Sequence, residues 1–294
     1  MELFSSFDEL NISEPVSMTI GKFDGVHRGH MDLLERLSGK KFVFTFDIAG
    51  ADGLITTSSE RRDRFDSLGV DYLFECPFDS DVFSMTPEEF IGKLLERANV
   101  KKIVAGTDFR FGRERAGDCD TLRSLGVKHG FKVEVAEKLM LDGREISSSY
   151  IREEIAAGRM ENVEMLLGMP FFCDGKVVTG NRIGRTIGFP TANVPVDKTK
   201  LLPPFGVYKA SLITKDGDIE ACGIADLGRK PTIESADHEN PVCIEINLFD
   251  FSEDIYGREV RILLQKFIRP ERKFKDLDAL KRQISEDIRE CRKG

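Results

Sequence analysis

The spacing of apolar residues along the chain changes once. In the first half, short β-rich runs alternate with helical patterns. SMTIGKF (Ser17 to Phe23) reads as a strand leading into the stretch GKFDGVHRGH, and HMDLLERL (His30 to Leu37) then reads as an amphipathic helix. KKFVFTFD (Lys40 to Asp47), VDYLFE (Val70 to Glu75) and KKIVAG (Lys101 to Gly106) read as buried strands. Thr86-Pro87-Glu88-Glu89 predicts a helix start, with Thr86 as N-cap, Pro87 at the first helical position and Glu89 closing a capping box. Phe90, Ile91, Leu94, Leu95 and Ala98 then share one face. This alternation predicts a parallel sheet with helices on both faces.

After about Gly168 the rhythm changes. GKVVTG, GVYKASLI, IEACGIADL, PVCIEINLFDF and REVRILLQKF follow one another without intervening helices, and Asp216-Gly217 marks a hairpin turn. Successive strands with turn residues between them predict a sandwich or a closed barrel. Ser147 to Met169 reads as helical and joins the halves. A closing helix runs from Lys275, with Leu277, Leu280, Ile284 and Ile288 on one face.

Composition narrows the function classes. The length of 294 residues suits two domains, and 40% hydrophobic with 32% charged residues describes an ordinary globular chain. No apolar run approaches the roughly 20 residues needed to span a bilayer. The amino terminus carries acids ahead of any hydrophobic stretch, unlike a signal peptide, so a cytoplasmic location is expected. The six cysteines are scattered without a CxxC pair, which argues for reduced thiols over a disulfide framework or zinc site. A formal charge of −8 argues against a protein that coats nucleic acid, and leaves small anionic ligands open.

Two stretches carry candidate chemistry. GKFDGVHRGH lies at a strand-to-helix junction, the place where open α/β sheets bind ligands and helix N–H groups point outward. Gly25 and Gly29 allow close backbone approach, and His27 and His30 can donate to phosphate oxygens, whose charge would raise their proton affinity. The same residues also read as a turn with two surface histidines. Arg152, expected in the first turn of a helix starting near Ser147 to Ser149, opposes the helix dipole unless an anion docks there. Glu153 and Glu154 offer a plainer compensation. Downstream, Gly180, Gly184 and Gly188 recur at intervals of four beside Arg182 and Arg185, without the GK[ST] of a Walker loop. Thr191 and Asn193, two apart and on one side of an extended segment, suit a hard cation such as Mg²⁺. Glu245 lies on the opposite face of its strand from Ile244 and Ile246.

GKFDGVHRGH, VDYLFECPFDSDVFSMTPEEFI, GTDFRFGRERAGD and ISSSYIREEI, in this order, resemble the adenylyltransferase half of prokaryotic bifunctional riboflavin kinase/FAD synthetases. GNRIGRTIGFPTANV, LLPPFGVYKA, CIEINLFDF, DIYGREV and FIRPERKF resemble the kinase module of the same family. The resemblance implies a Rossmann-like, HxGH-type α/β nucleotidyltransferase domain over residues 1–165. An all-β barrel riboflavin kinase domain with a C-terminal helix would follow over 166–294. It implies ATP and riboflavin or FMN as substrates, with Mg²⁺. For ATP and its phosphates it implies Gly21, Phe23, Gly25, Asp108, Ser147, Ser148 and Arg152 around His27 and His30 in the first half. In the second half it implies Gly180, Gly184, Arg185, Gly188 and Asn193. Thr191 and Asn193 would hold the metal, Glu245 would be the general base, and Asp108 and Arg269 would lie near the flavin.

The chain departs from the family pattern in three places. FTFDIAGADGLITT (Phe44 to Thr57) stands where relatives carry a Pro-His-Pro element, Ser149 replaces a usual threonine, and Asp226 replaces a usual asparagine, bringing negative charge close to the kinase pocket. Two narrower readings stay open at this level: a single retained activity, the kinase, or a flavin- or nucleotide-binding module without turnover.

Overall fold

Six parallel strands of the first half end on one edge of a sheet, and turns that follow them carry its candidate chemistry. The computed structural model describes residues 1–46, 52–77, 80–180, 189–229 and 241–293. It divides into two units, Met1–Ser148 and Ser149–Gly294. In the first, strands β1 (Glu2–Phe4), β2 (Ile12–Ile20), β3 (Lys40–Phe46), β4 (Tyr72–Cys76), β5 (Ala98–Gly106) and β6 (Lys132–Ala136) form one sheet in the order β1-β4-β3-β2-β5-β6. Every pairing is parallel. Helices α1 (Arg28–Glu35), α2 (Ser58–Ser67), α3 (Pro87–Arg97) and α4 (Cys119–His129) fill the crossovers, and a short hairpin of β7 (Met140–Leu141) and β8 (Arg144–Glu145) follows β6.

Alternate strand residues enter two separate cores. Phe42 and Phe44 pack with Met18, Ile103 and Phe90, while Val43 packs with Val104, Leu34 and Phe65. Both faces are therefore buried, which is why these strands read as continuous apolar runs. Connections leave β2 toward one edge of the sheet and β5 toward the other, so the gap between these two strands is a topological switch point.

The strands and helices expected here are present with shifted ends. β2 is longer at its start and stops at Ile20, before the glycine; α1 begins at Arg28, two residues earlier than expected. The capping box of α3 forms as expected: Thr86 accepts from the Glu89 N–H at 3.3 Å and Glu89 accepts from the Thr86 N–H at 2.8 Å. A second box, Thr57 with Glu60, starts α2 and has the same signature in TSSE.

The expected single helix over Ser147 to Met169 is two helices, α5 (Ser148–Ala156) and α6 (Met160–Leu167). Gly158 at φ 70 breaks the run and Gly168 at φ 74 ends it, conformations that glycine adopts without a side-chain clash. Arg152 therefore sits in the second turn of α5, where a cation meets little of the helix dipole.

The second unit continues with β9 (Phe171–Lys176), β10 (Ala192–Pro195), β11 (Gly206–Thr214), β12 (Glu220–Arg229), β13 (Val242–Leu248), β14 (Glu259–Pro270) and α7 (Leu277–Lys293). The strands form one antiparallel sheet in the order β10-β13-β12-β11-β14-β9. The sheet curls until its two edges meet. Val178 bridges to Asn193, and a Cβ on Gly175 would stand 2.7 Å from Val194 Cγ1, so only glycine lets the edges approach. Ala210, Leu212, Ala225, Leu227, Ile244 and Ile246 are buried. α7 packs outside, where Ile288 and Cys291 meet Val207 and Ile224. Among the described residues no helix is long and apolar enough to cross a membrane.

Candidate active sites

The first candidate site lies at the switch point. After β2 the chain turns through Phe23 at φ 52, Gly25 at φ 87 and Val26 at φ 39 before α1 begins. A β-branched residue at positive φ is strained and persists only where its surroundings hold it. Several bonds do so. The Lys22 carbonyl accepts from Arg61 Nη1 at 3.0 Å and from Thr45 Oγ1 at 3.2 Å, and the Gly25 N–H donates to Thr56 Oγ1 at 3.1 Å. Asp24 Oδ1 accepts from the backbone N–H groups of Ile55 and Thr56. Arg61 is fully buried and its charge is met by Glu75 at 2.9 Å.

Held this way, the turn stacks His27 on His30 with ring centroids 3.6 Å apart, and the edge of Phe23 closes on His30 at 4.9 Å. Gly21 passes under the Phe23 ring, and a Cβ on Gly29 would press on the His27 ring at 3.2 Å. Nδ1 of both imidazoles is buried with no hydrogen-bond partner among the described residues. Burial pushes the His27 pKa down to about 4, and burial together with His27 holds His30 well below the usual histidine value. Both rings are therefore neutral near pH 7. The raised proton affinity expected beside a phosphate concerns an anion within reach of them, whose charge acts in the opposite direction.

The histidines open onto a cleft that also gathers Asp108 after β5, Glu137 and Lys138 after β6, and Glu145 to Ser148 around the end of β8. Ser147 and Ser148 thus meet His27, His30 and Asp108 in one cleft. The Ser148 hydroxyl is already used, donating to the Asp24 carbonyl at 3.0 Å. Lys138 Nζ bridges Asp108 at 2.9 Å and Glu145 at 2.5 Å. Burial opposes its charge, but the hydrogen bonds to Glu145 and Asp108 outweigh it and raise its pKa. Lys138, Glu145 and Arg61 escaped the sequence reading. For Lys138 the signal was its position two residues past a parallel strand.

The second candidate site lies on the barrel. Asn193 on β10 pairs directly with Glu245 on β13, and Glu245 pairs with Asp226 on β12. Residues opposite one another in an antiparallel ladder project from the same face, so the three side chains form a row. The row continues through Val207 on β11 to Arg269 on β14. Ile244 and Ile246 are fully buried on the other face, as the alternation predicts. Asn193 is itself buried, and Gly180 lies against its carboxamide with no room for a Cβ. Thr191 precedes β10, and Asn247 Nδ2 donates to the Pro190 carbonyl at 2.7 Å, tying this segment to β13.

Arg269 is engaged elsewhere. Its Nε and Nη2 grip the carboxylate of Asp287 on α7, at 3.0 and 2.7 Å to Oδ2. Gly184, Arg185 and Gly188 lie outside the described residues. The side-chain oxygens of Thr191 and Asn193 are hard donors of the kind a magnesium ion accepts.

Comparison with known proteins extends this picture. The family model for riboflavin kinase matches residues 167–294, and that for FAD synthetase matches residues 10–150. Bifunctional riboflavin kinase/FMN adenylyltransferase of Escherichia coli is 37% identical, over 92% of this chain and 90% of its own length. The protein of the same description from Bacillus subtilis is also 37% identical, over 93% of this chain and 90% of its own. A crystal structure described as a macrolide-efflux protein from Streptococcus pneumoniae shares 28% identity with a TM-score of 0.86, covering 99% of this chain and 98% of that one.

Proposed function

The chain belongs to the bifunctional riboflavin kinase/FMN adenylyltransferase family, and on that premise we propose how its two sites divide the work. The second unit phosphorylates riboflavin to FMN, and the first adenylylates FMN to FAD. We assign the adenylyltransferase to residues 1–165 and the kinase to 166–294, with a cytoplasmic setting and no nucleic-acid partner.

In the kinase reaction the terminal hydroxyl of riboflavin attacks the γ-phosphorus of ATP and ADP leaves. That hydroxyl is neutral near pH 7, so its proton must go to a base. We assign the base to Glu245, with Asn193 beside it and Thr191 just upstream as contacts to nucleotide and metal. Mg²⁺, when bound by these oxygens, supplies charge neutralisation for the phosphates. In the adenylyl transfer the phosphate of FMN attacks the α-phosphorus of ATP and pyrophosphate leaves. This nucleophile already carries about −1.5 to −2 charges. It needs alignment and donors more than a base, which is the role given to His27, His30, Ser147 and the backbone around Gly25.

The observation that carries this reading is the separate construction of the two sites: a stacked imidazole pair in a cleft at a sheet switch point, and a carboxylate in register with Asn193 on a barrel. The test is a time course with riboflavin, ATP and Mg²⁺, following FMN, FAD, ADP and pyrophosphate. FMN should rise first and FAD follow, with one ADP per FMN made and one pyrophosphate per FAD. FMN accumulating without FAD would leave the kinase alone.

A further inference from the structure

We propose that Lys138 is the phosphate-facing cation of the adenylyltransferase cleft, its ammonium exchanging the carboxylates of Asp108 and Glu145 for oxygens of the ATP polyphosphate. The inference rests on the adenylyl-transfer reading of this cleft.

The charge balance of the cleft motivates it. Among the described residues that line it, the carboxylates of Asp108, Glu137 and Glu145 face a single ammonium, that of Lys138. His27 and His30 add no charge, since both are neutral before an anion arrives. A polyphosphate entering such a cleft meets more negative than positive charge, and among the described lining residues Lys138 is the ammonium that can offset that repulsion.

The geometry allows that turn. An ammonium has three donors, and among the described residues Lys138 spends two of them, one on each carboxylate. Its four-carbon stem can swing without breaking backbone bonds. The partners it would leave can be rehydrated, because the side chains of Asp108 and Glu145 are 72% and 40% exposed. No buried charge is stranded by the exchange, so its cost is small beside a charge-assisted bond to phosphate.

A plainer role would be a clamp that pins β8 to the end of β6. The two roles predict opposite signs at Glu145, and initial rates of FAD formation from FMN at varied ATP separate them. A phosphate-facing Lys138 predicts that Lys138→Gln raises the KM for ATP about tenfold or more and that Lys138→Arg recovers most of it. It also predicts that Glu145→Gln lowers that KM, by freeing the ammonium and removing a repelling charge. A KM unchanged in Lys138→Gln would overturn the proposal, as would a Glu145→Gln effect in the same direction as Lys138→Gln. Melting temperatures are recorded for each variant. Glu145→Gln keeps the ammonium, so its sign decides the matter even where Lys138→Gln melts early. His30→Ala in the same assay tests the parent reading: full FAD formation there discards adenylyl transfer at this cleft. Its loss there, with a wild-type KM in Lys138→Gln, discards only the role of Lys138.

Discussion

Asn193 on β10 stands directly opposite Glu245 on β13, so the carboxamide and the carboxylate project side by side from one face of the barrel. Strand pairing fixes this neighbourhood on both sides, because β12 places Asp226 against Glu245 in turn. A base held in the middle of a ladder cannot drift from its neighbours, and alignment of this kind is worth several orders of magnitude in rate. Asp226 thus sets a second carboxylate in the ladder directly beside the proposed base.

The other end of the same row behaves differently. Arg269 holds the carboxylate of Asp287, which is 2% exposed and also accepts from Gln283 Nε2 at 2.7 Å. Arg269→Met would leave that carboxylate buried without its cation, at a cost of about 3 kcal/mol. A clear fall in the melting temperature of the second unit is expected. Riboflavin binding by the still-folded variant, measured below its transition, should change less than the stability does. A large loss of riboflavin affinity with unchanged melting would favour a flavin contact instead.

In the first unit, Gly29 is a packing position. It needs no left-handed conformation, so alanine is acceptable to the backbone, yet its Cβ would press on the His27 ring at 3.2 Å and lie 3.5 Å from the Ile146 carbonyl. Gly29→Ala is expected to tilt His27 by a few tenths of an ångström and to slow FMN adenylylation roughly tenfold. Riboflavin phosphorylation should persist. Equal losses in both activities would point to general misfolding.

The histidine pair also sets a pH dependence. His27 titrates near 6.5 in an unfolded chain and at about 4 in the fold, because burial disfavours the charged ring. Above pH 6.5 the ring is neutral in both states. As pH falls from 6.5 toward 4, the unfolded chain takes up the proton first and the fold loses stability, by an amount on the order of 3 kcal/mol. His27→Gln should flatten the fall of melting temperature over this window. ATP, whose charge favours the protonated rings, should bind with net proton uptake near pH 6, read by calorimetry in two buffers of different ionisation enthalpy. Proton release, or an unchanged slope in His27→Gln, would contradict the neutral-pair description.

What the sequence disclosed followed the reach of each signal. Periodicity and capping are local, so the strands through Phe44 and Ile103, the start of α3 and the alternation around Glu245 were legible. Chain breaks set by one glycine were less so: Gly158 splits a pattern whose apolar face continues on both sides. The partnership of Lys138 with Asp108 spans 30 residues, and that of Arg269 with Asp287 spans 18, each joining elements that only the fold brings together. Periodicity carries no information on such pairs. The strained turn at Phe23 and Val26 was hidden for the same reason, since the groups that hold it come from three other segments.

The central claim is that two scaffolds in one chain each handle a triphosphate and only the alcohol-activating one depends on a carboxylate base. Glu245→Gln, assayed once with riboflavin and once with FMN as the starting flavin, tests it directly. FMN formation should fall by at least about a hundredfold, in keeping with the loss of general-base catalysis, while added FMN is still converted to FAD at the wild-type rate. Full riboflavin phosphorylation in this variant, or equal loss of both conversions, would contradict it.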